Sequence, residues 1–195
     1  MFDLTRKVAL VTGSGRGLGF EIAQALAMAG ATVLVNGRRS VQVTQAVEKI
    51  QAVGGMAEPL VFNVADGAAM DTALTKIARV HGRLDILVNN VGMRDRRTID
   101  EVEATDFDAL LQVNLTAVYA LSRSVAAFMR AQHAGRIINM SALASAVGLS
   151  HGPSYAASKG GLEALTRMLS VSLGQYGITV NAISPGYFAT ESNAT

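Results

Sequence analysis

A short apolar run that passes directly into a glycine-rich turn constrains the fold of this chain more than any other feature. Residues 7–12 (KVALVT) have the pattern of a buried strand, and residues 13–19 (GSGRGLG) follow without a break. A helical pattern then covers residues 20–29 until Gly30 ends it. Strand, turn and helix form the first half of a βαβ unit, whose backbone amides and helix N-terminus can bind a pyrophosphate. A P-loop is excluded because no G-K-[ST] follows.

The alternation of strand and helix patterns continues through the rest of the sequence. Five further strands are predicted, at residues 31–36, 57–61, 84–88, 136–140 and 178–183. The other helices are predicted at residues 41–52, 68–80, 105–132 and 154–176. This order predicts an α/β fold with a doubly wound parallel sheet of six strands, the three-layer αβα arrangement of the Rossmann fold. We expect residues 1–195 to form one dinucleotide-binding domain with its site beyond the carboxyl ends of the strands.

Composition excludes several classes of protein. Half of the 195 residues are apolar and none is cysteine, which excludes disulfides and thiolate metal sites. No apolar run reaches the ~20 residues of a membrane span, and the N-terminus lacks a signal peptide, so we expect a cytoplasmic protein without membrane contact. The net charge is +2 without a basic stripe, so nucleic acid is not an expected partner. His81, His133 and His151 lack ligand spacing, and no metal site is expected.

The end of the second predicted strand indicates which dinucleotide binds. An NAD site usually places an acid about 20 residues after the glycine turn, for the ribose 2′-hydroxyl. No acidic residue occurs between Glu21 and Glu48, and Arg38 and Arg39 follow the strand instead. Together with Arg16 in the glycine turn, these arginines suit a 2′-phosphate, which predicts NADP(H) over NAD(H). The alternative is that the arginines are solvated loop charges.

Tyr155 and Lys159 are four residues apart in a helical pattern, so their side chains share one face of the helix. An ammonium group beside a phenol favours the phenolate. Such a tyrosine can give a proton to a carbonyl oxygen or take one from an alcohol. Asn114 lies in an otherwise apolar helical segment, where a buried amide needs partners; it is either a structural hydrogen-bonding hub or part of a site.

The set of motifs resembles the short-chain dehydrogenase/reductase family. The matching motifs are Thr12-Gly13-x-x-x-Gly17-x-Gly19, Asn89-Asn90-x-Gly92, Asn114, Tyr155-x-x-x-Lys159, and Pro185-Gly186 with Thr190. The resemblance implies an NAD(P)-dependent oxidoreductase that transfers a hydride between nicotinamide and a small carbonyl or alcohol substrate. It also implies a homo-tetramer or dimer assembled through the helices at residues 105–132 and 154–176. Relatives generally continue with a substrate-covering loop and a seventh strand, which are absent from this sequence.

The resemblance also implies roles for individual residues. Tyr155 would be the acid/base, Lys159 would hold the nicotinamide ribose and make the tyrosine more acidic, and Asn114 would anchor a water in a proton relay. Asn63 replaces the usual acid at the adenine, where an amide can still form a hydrogen bond. The implied cofactor-binding residues are Gly13, Ser14, Arg16, Gly17, Leu18, Gly19, Arg38, Asn63, Val64, Asn90, Gly92, Tyr155, Lys159, Pro185, Gly186, Phe188 and Thr190.

One departure from the family pattern concerns catalysis. The serine that the family usually carries after the fifth strand is Ala142 here, and Ser141 stands one residue early. Neighbours at a strand end tend to point to opposite sides, and losing one such donor commonly costs about 10²–10³ in rate. A local shift that brings Ser141 in, a weak or altered enzyme, and an engineered alanine remain open. The alternative function is therefore a nucleotide-binding protein of this type with weak or no turnover.

The sequence gives only an indication of the substrate. Arg94, Arg96 and Arg97 follow the fourth predicted strand, near the mouth of the expected site, and would suit a carboxylate or phosphate. The alternative is that they pair at the surface with Asp95, Asp100 and Glu101. The sequence is similar to gluconate 5-dehydrogenases, which handle a sugar acid such as 5-ketogluconate, and to 3-oxoacyl-carrier-protein reductases, which handle a 3-oxoacyl thioester.

A hydrolase is disfavoured. Residues 148–152 match G-x-S-x-G, but a nucleophile elbow requires a strand directly before it and a histidine after it. The preceding strand ends near Met140, and no histidine follows His151.

Overall fold

The computed structural model describes residues 3–147 and 150–186, which contain one parallel sheet with helices on both faces. In chain order the elements are β1 (Val8–Val11), α1 (Gly17–Met28), β2 (Thr32–Gly37), α2 (Ser40–Ala52), β3 (Met56–Val61), α3 (Gly67–His81), β4 (Ile86–Asn89), α4 (Ala104–Leu111), a π-helical turn (Gln112–Thr116), α5 (Ala117–Gln132), β5 (Gly135–Met140), a 3₁₀ turn (Leu143–Ser145), α6 (Pro153–Gly174) and β6 (Ile178–Ile183). The strand order is β3-β2-β1-β4-β5-β6, and all neighbouring strands run parallel. The predicted doubly wound fold is confirmed.

The central strands are apolar on both sides because both faces of the sheet are covered. In β1, Val8 and Leu10 belong to the cluster formed with α3, α5 and α6, whereas Ala9 and Val11 belong to the cluster formed with α1 and α2. Side chains alternate between the faces of a strand, so a strand covered on both faces must be apolar throughout. All four residues of β1 are buried, which explains why the strand is apolar without alternation.

The order of the strands reverses direction at β1. From β1 the chain moves outward through β2 to β3, and it then returns to β4 beside β1 and continues to β5 and β6. The turn after β1 and the loop after β4 therefore lie side by side at the carboxyl edge of the sheet. This switch point is where open α/β sheets form a ligand-binding crevice.

The prediction of one continuous helix at residues 105–132 is wrong in one respect. In the structure, this helical segment begins at Ala104 and is interrupted by the π-helical turn around Asn114. A π turn inserts one extra residue, and such turns are frequent at functional sites. Hydrophobic periodicity cannot reveal it, because the segment stays helical on both sides.

Several predicted boundaries differ from the observed ones by one to three residues, as in α6, which ends at Gly174. Strand β6 has the predicted bounds. Gly152 precedes α6 with φ +72, and its amide donates to the Arg97 carbonyl at 2.8 Å, which joins the arginine-rich loop to the start of this helix. Over residues 3–147 and 150–186, none of the helices has the length and apolar character to cross a membrane.

Candidate active site

A cleft of about 1060 Å³ runs along the carboxyl edge of the sheet. One end, called here the glycine end, is formed by the turn at residues 13–19 with Gly37 and Arg38. The other, called the tyrosine end, is formed by Arg94, Ser141, Tyr155 and Lys159. The predicted site residues that line the cleft are Gly13, Arg16, Gly17, Leu18, Gly19, Arg38, Asn63, Val64, Asn90, Gly92, Tyr155, Lys159, Pro185 and Gly186. The predicted Phe188 and Thr190 lie outside the described residues.

The glycine end requires glycine for steric reasons. Gly13 and Gly17 have φ +63 and +57, in the left-handed region that side chains with a Cβ rarely adopt. A Cβ on Gly19 would collide with the Asn90 amide and the Gly13 carbonyl. Of the described side chains, none caps the first turn of α1, and no acid stands in that turn. The amides at this helix start can therefore bind an anion in the cleft.

Two asparagines hold the glycine turn. Asn90 Nδ2 donates to the carbonyls of Thr12 and Gly13 at 3.0 and 3.2 Å. Asn36 Oδ1 accepts from the Gly13 amide at 3.3 Å, and its Nδ2 donates to the Leu60 carbonyl at 3.0 Å. Asn36 is fully buried and was not predicted as a site residue. The available signal was a single amide at the end of an otherwise apolar strand, since a buried amide needs partners.

The side chain of Ser14, a predicted cofactor-binding residue, lies outside the cleft. It is fully buried and is not among the cleft-lining residues. Its hydroxyl donates to the Val11 carbonyl at 2.6 Å and accepts from the Asn36 amide at 3.0 Å. Because both bonds lie beneath the turn, Ser14 shapes the glycine end from below.

Three arginines line the glycine end of the cleft, namely Arg16, Arg38 and Arg39. Arg39 Nε donates to the Gln42 side chain at 2.9 Å. Asn63 and Val64 follow β3 and line the same end. The predicted clustering of positive charge beside Gly37 is therefore present in the fold.

Tyr155 and Lys159 both open into the tyrosine end from the first two turns of α6. The Lys159 Nζ lies 5.8 Å from the centroid of the Tyr155 ring and donates to the Met140 carbonyl at 2.6 Å. Lys159 is only 4% exposed. Burial, with a smaller contribution from the positive charge of Arg94, lowers the pKa of Lys159 to about 8. The ammonium group therefore loses its proton at a lower pH than an exposed lysine does.

Asn114 is a hydrogen-bonding hub in the π-helical turn. Its Oδ1 accepts from the Met93 amide at 2.7 Å, and its Nδ2 donates to the Met93 carbonyl at 2.9 Å and to Ser158 Oγ at 3.1 Å. The Ser158 hydroxyl donates to the Tyr155 carbonyl at 2.8 Å. Asn114 therefore joins the loop after β4 to the helix that carries Tyr155, although it is fully buried and does not line the cleft.

The segment after β5 presents no serine at the expected position. Ala142 has a methyl side chain, and the Ser141 hydroxyl donates to Glu163 Oε1 at 2.9 Å. That proton is therefore not available to a substrate oxygen in this arrangement. Glu163 was not predicted as a site residue, and its contacts join segments that are distant in sequence.

The three arginines after β4 have different surroundings. Arg97 pairs with Asp95 and Asp106 at 2.6 and 2.7 Å. For this residue the predicted alternative of surface ion pairs is therefore correct, although the second partner is Asp106 and not Asp100. These carboxylates raise the Arg97 pKa further above its ordinary value. Arg94 lines the tyrosine end of the cleft and is close enough to Lys159 to influence its charge.

The sequence also argues against a metal site and against a hydrolase. Within residues 3–147 and 150–186, no group of three or more His, Asp or Glu side chains could hold a metal ion. His81 Nε2 instead lies 3.3 Å from a Glu58 oxygen. Gly148 and Leu149 of the G-x-S-x-G match lie outside the described residues, and β5 ends well before them, at Met140.

Comparison with known proteins decides the family. The family model for short chain dehydrogenases matches residues 7–195. The chain belongs to the short-chain dehydrogenase family. It is 38% identical over 195 residues to a 2-dehydro-3-deoxy-D-gluconate 5-dehydrogenase of Formosa agariphila, covering 100% of this chain and 74% of that one. It is also 36% identical over 192 residues to a 3-oxoacyl-[acyl-carrier-protein] reductase of Synechocystis, covering 98% and 78%.

A solved structure of the same family has the same fold. It is a gluconate 5-dehydrogenase from Burkholderia cenocepacia in complex with NADP and tartrate. The TM-score is 0.93 at 38% identity, over 98% of this short-chain dehydrogenase and 75% of that chain. The predicted resemblance to this oxidoreductase family is confirmed.

Proposed function

We propose that this short-chain dehydrogenase is an NADP(H)-dependent oxidoreductase that interconverts a carbonyl and a secondary alcohol on a small sugar acid. A single observation carries the proposal. One continuous cleft connects Arg16 and Arg38 at the glycine end with Arg94, Tyr155 and Lys159 at the tyrosine end. Such a cleft combines a dinucleotide site, an acid/base pair and a cation for an anionic substrate.

The residues of the glycine end fit NADP(H). The uncapped start of α1 supplies amides for the pyrophosphate, and the glycines allow close approach. Arg16 and Arg38 would bind the 2′-phosphate, while Asn63 and Val64 would flank the adenine. When bound, the dinucleotide would supply or accept the hydride. Asn90, Gly92, Pro185 and Gly186 line the cleft towards Tyr155 and are proposed to enclose the nicotinamide half.

Tyr155 would donate a proton to the substrate oxygen during reduction and take it back during oxidation. The buried Lys159 ammonium would stabilise the phenolate that donation leaves behind. Asn114 would hold the loop after β4 and the tyrosine helix in register, through Met93 and Ser158. The proposed proton chemistry thus uses side chains from α6 and the π-helical turn.

Arg94 supports a sugar acid as the substrate class. Arg94 lines the end of the cleft where the reacting carbonyl would lie, and carboxylates bind guanidinium groups by two parallel hydrogen bonds. The similar solved structure is that of a gluconate 5-dehydrogenase, an enzyme named after a sugar acid, and its complex contains tartrate, a dicarboxylate. A 3-oxoacyl thioester is the competing substrate class.

The cofactor proposal is tested by binding. NADPH and NADH dissociation constants are measured by fluorescence for the purified chain, for Arg38→Ala and for Arg79→Ala, an exposed arginine of α3 outside the cleft. We expect Arg38→Ala to weaken NADPH about tenfold or more, because a hydrogen bond to a charged group contributes about 1.5–3 kcal/mol. NADH should change little. Equal binding of both dinucleotides, unaffected by Arg38→Ala, would contradict the preference.

The substrate proposal is tested by turnover. NADPH oxidation is compared with 5-ketogluconate and with an acetoacetyl thioester, in the unmodified chain, Arg94→Met and Arg96→Met. Arg96 is the matched control because it is an exposed arginine of the same loop outside the cleft. We expect Arg94→Met to raise KM for 5-ketogluconate about tenfold or more. Preference for the thioester, or equal effects of both variants, would contradict a sugar acid.

We also propose assembly as a homo-tetramer or dimer through α5 and α6. Both helices expose apolar side chains, with Tyr119, Met168 and Val171 at 48%, 65% and 81% exposure. Apolar side chains outside the core mark interaction surfaces when they are contiguous. Light scattering after gel filtration, with Val171→Lys as the disrupting variant, measures the state directly. A monomer in both samples would contradict assembly.

A further inference from the structure

Three serine hydroxyls meet one carboxylate beside the tyrosine end of the cleft. Glu163 lies on α6 one turn after Lys159, and its Oε1 accepts from Ser141 at 2.9 Å, Ser145 at 2.5 Å and Ser184 at 3.3 Å. The serines come from the ends of β5 and β6 and from the 3₁₀ turn between them. Glu163 therefore fastens two strand ends and one turn to the helix that carries Tyr155 and Lys159.

The bonds around Ala142 show what Glu163 holds in place. The Ser145 amide donates to the Ala142 carbonyl at 3.0 Å, closing a tight turn. The Ser141 amide donates to the Ile183 carbonyl at 2.8 Å. Ala142 itself is extended, with φ −158 and ψ 157. The short segment Ser141–Ser145 is thus anchored at both ends, with Ala142 between the anchors.

The three serines favour the ionised form of Glu163. An ionised carboxylate only accepts hydrogen bonds, and one oxygen can take several hydroxyl donors. The hydroxyls of Ser145 and then Ser141 hold the pKa of Glu163 below its usual value, with a smaller contribution from Ser184. Because the side chain is partly exposed, the cluster forms at the surface of the site rather than in the core.

We infer that Glu163 is a positioning residue of the active site. It fixes the Ser141–Ser145 segment, which brings Ser141 to the tyrosine end of the cleft and contains Ala142, the position where the family resemblance implies a side-chain donor. The inference rests on the proposed function. It explains why a glutamate and three serines converge beside a position that holds no hydroxyl of its own.

The first test separates positioning from folding. Turnover, NADPH binding and the thermal midpoint are measured for Glu163→Ala, Glu163→Gln and Glu48→Ala, an exposed glutamate of α2. Glu163→Ala is expected to lower kcat about tenfold while the NADPH dissociation constant changes less than about twofold. Glu163→Gln should retain most of kcat, because its amide oxygen still accepts hydroxyl donors. Parallel loss of kcat and NADPH binding, or no loss in Glu163→Ala, would overturn the inference.

The second test uses Ala142→Ser, alone and combined with Glu163→Ala. A serine on a fixed backbone should raise kcat about tenfold or more, whereas in Glu163→Ala the gain should largely disappear. An equal gain in kcat from Ala142→Ser in the unmodified chain and in Glu163→Ala would overturn the positioning role of Glu163 but not the proposed function. The same holds if Ala142→Ser gives no gain in either protein although the unmodified chain turns over. NADPH binding without turnover in every variant would overturn the proposed function, and the inference with it. Turnover that appears only with Ala142→Ser and Glu163 together would support positioning.

Discussion

The two ends of the cleft are built from different parts of the chain. At the glycine end, the shape comes from backbone: Gly13 and Gly17 adopt positive φ, Gly19 makes room for Asn90, and the uncapped start of α1 lines the cleft. At the tyrosine end, the shape comes from side chains that bind one another. Lys159 and Glu163 project from α6 to the Met140 carbonyl and to Ser141 at the end of β5, and Tyr155 lines the cleft beside Lys159.

The difference predicts different responses to mutation. A backbone-built site tolerates exchange of polar side chains but not an added Cβ, because the Cβ displaces the backbone that makes the contacts. A site built from side chains depends on single functional groups, so removal of one hydroxyl can abolish chemistry while the fold and the other end remain intact.

Tyr155→Phe should have the largest effect. Removal of the hydroxyl deletes the proposed proton donor, which contributes typically 10²–10⁴ in rate, so kcat should fall by about that factor. The NADPH dissociation constant should stay within about twofold, because the glycine end is untouched. Tyr119→Phe, at an exposed position of α5, is the control. Steady-state kinetics and fluorescence titration measure both quantities. Comparable losses of kcat in both variants would contradict the role of Tyr155, and NADPH binding that weakens in parallel with kcat in Tyr155→Phe would contradict the separation of the two ends.

Gly19→Ala should have the second-largest effect, and it should act on the glycine end. The new Cβ would meet both the Asn90 amide and the Gly13 carbonyl, so the turn and α1 must separate. We expect weaker NADPH binding by about tenfold or more and a lower thermal midpoint. Gly67→Ala is the matched control, since a Cβ there meets nothing within 4 Å at the start of α3. A Gly19→Ala protein that binds NADPH normally would contradict the steric account.

The dependence of kcat on pH should show the titration of the Lys159 ammonium group. With a pKa of about 8, the ammonium is lost as pH rises through that value, so kcat should decline on the alkaline side of about pH 8. Arg94→Met removes the positive charge that contributes to this lowering, so the decline should move to higher pH. The profile is recorded at saturating substrate for the unmodified chain, Arg94→Met and Arg96→Met. A shift towards lower pH in Arg94→Met would contradict the assignment.

Gly160→Ala should have the smallest effect, and a stabilising one. Alanine in a helix interior is favoured over glycine by roughly 0.5–1 kcal/mol, and a Cβ on Gly160 meets nothing within 4 Å. At the neighbouring Gly161 a Cβ would lie 2.9 Å from Leu115 Cδ2, in contact with the π-helical turn. Urea unfolding should therefore show a gain for Gly160→Ala and a smaller gain or a loss for Gly161→Ala. Equal gains would show that the α6 contact with Leu115 relaxes without cost.

The glycine end could be predicted from sequence to a large extent, because its determinants are local. The apolar strand, the glycine turn and the helix follow one another without interruption, and backbone sterics fix their conformation. The parallel, doubly wound sheet follows from the βαβ alternation and its handedness, whereas the order β3-β2-β1-β4-β5-β6 is seen only in the fold. Tyr155 and Lys159 share a helix face for an equally local reason.

The remaining features depend on contacts between residues that are distant in sequence. Asn36 holds Gly13, Asn114 interrupts a helix to reach Met93, and Glu163 binds Ser141. A polar residue in the sequence shows that it needs a partner, but not which partner the fold brings near. Equally, only the fold shows that Arg94 lines the cleft and that Arg97 pairs with Asp95 and Asp106. The sequence by itself determined the frame and the placement of Tyr155 and Lys159 on one helix face; tertiary structure decided the partners of the buried polar groups, because these partners meet only when the strands and helices pack.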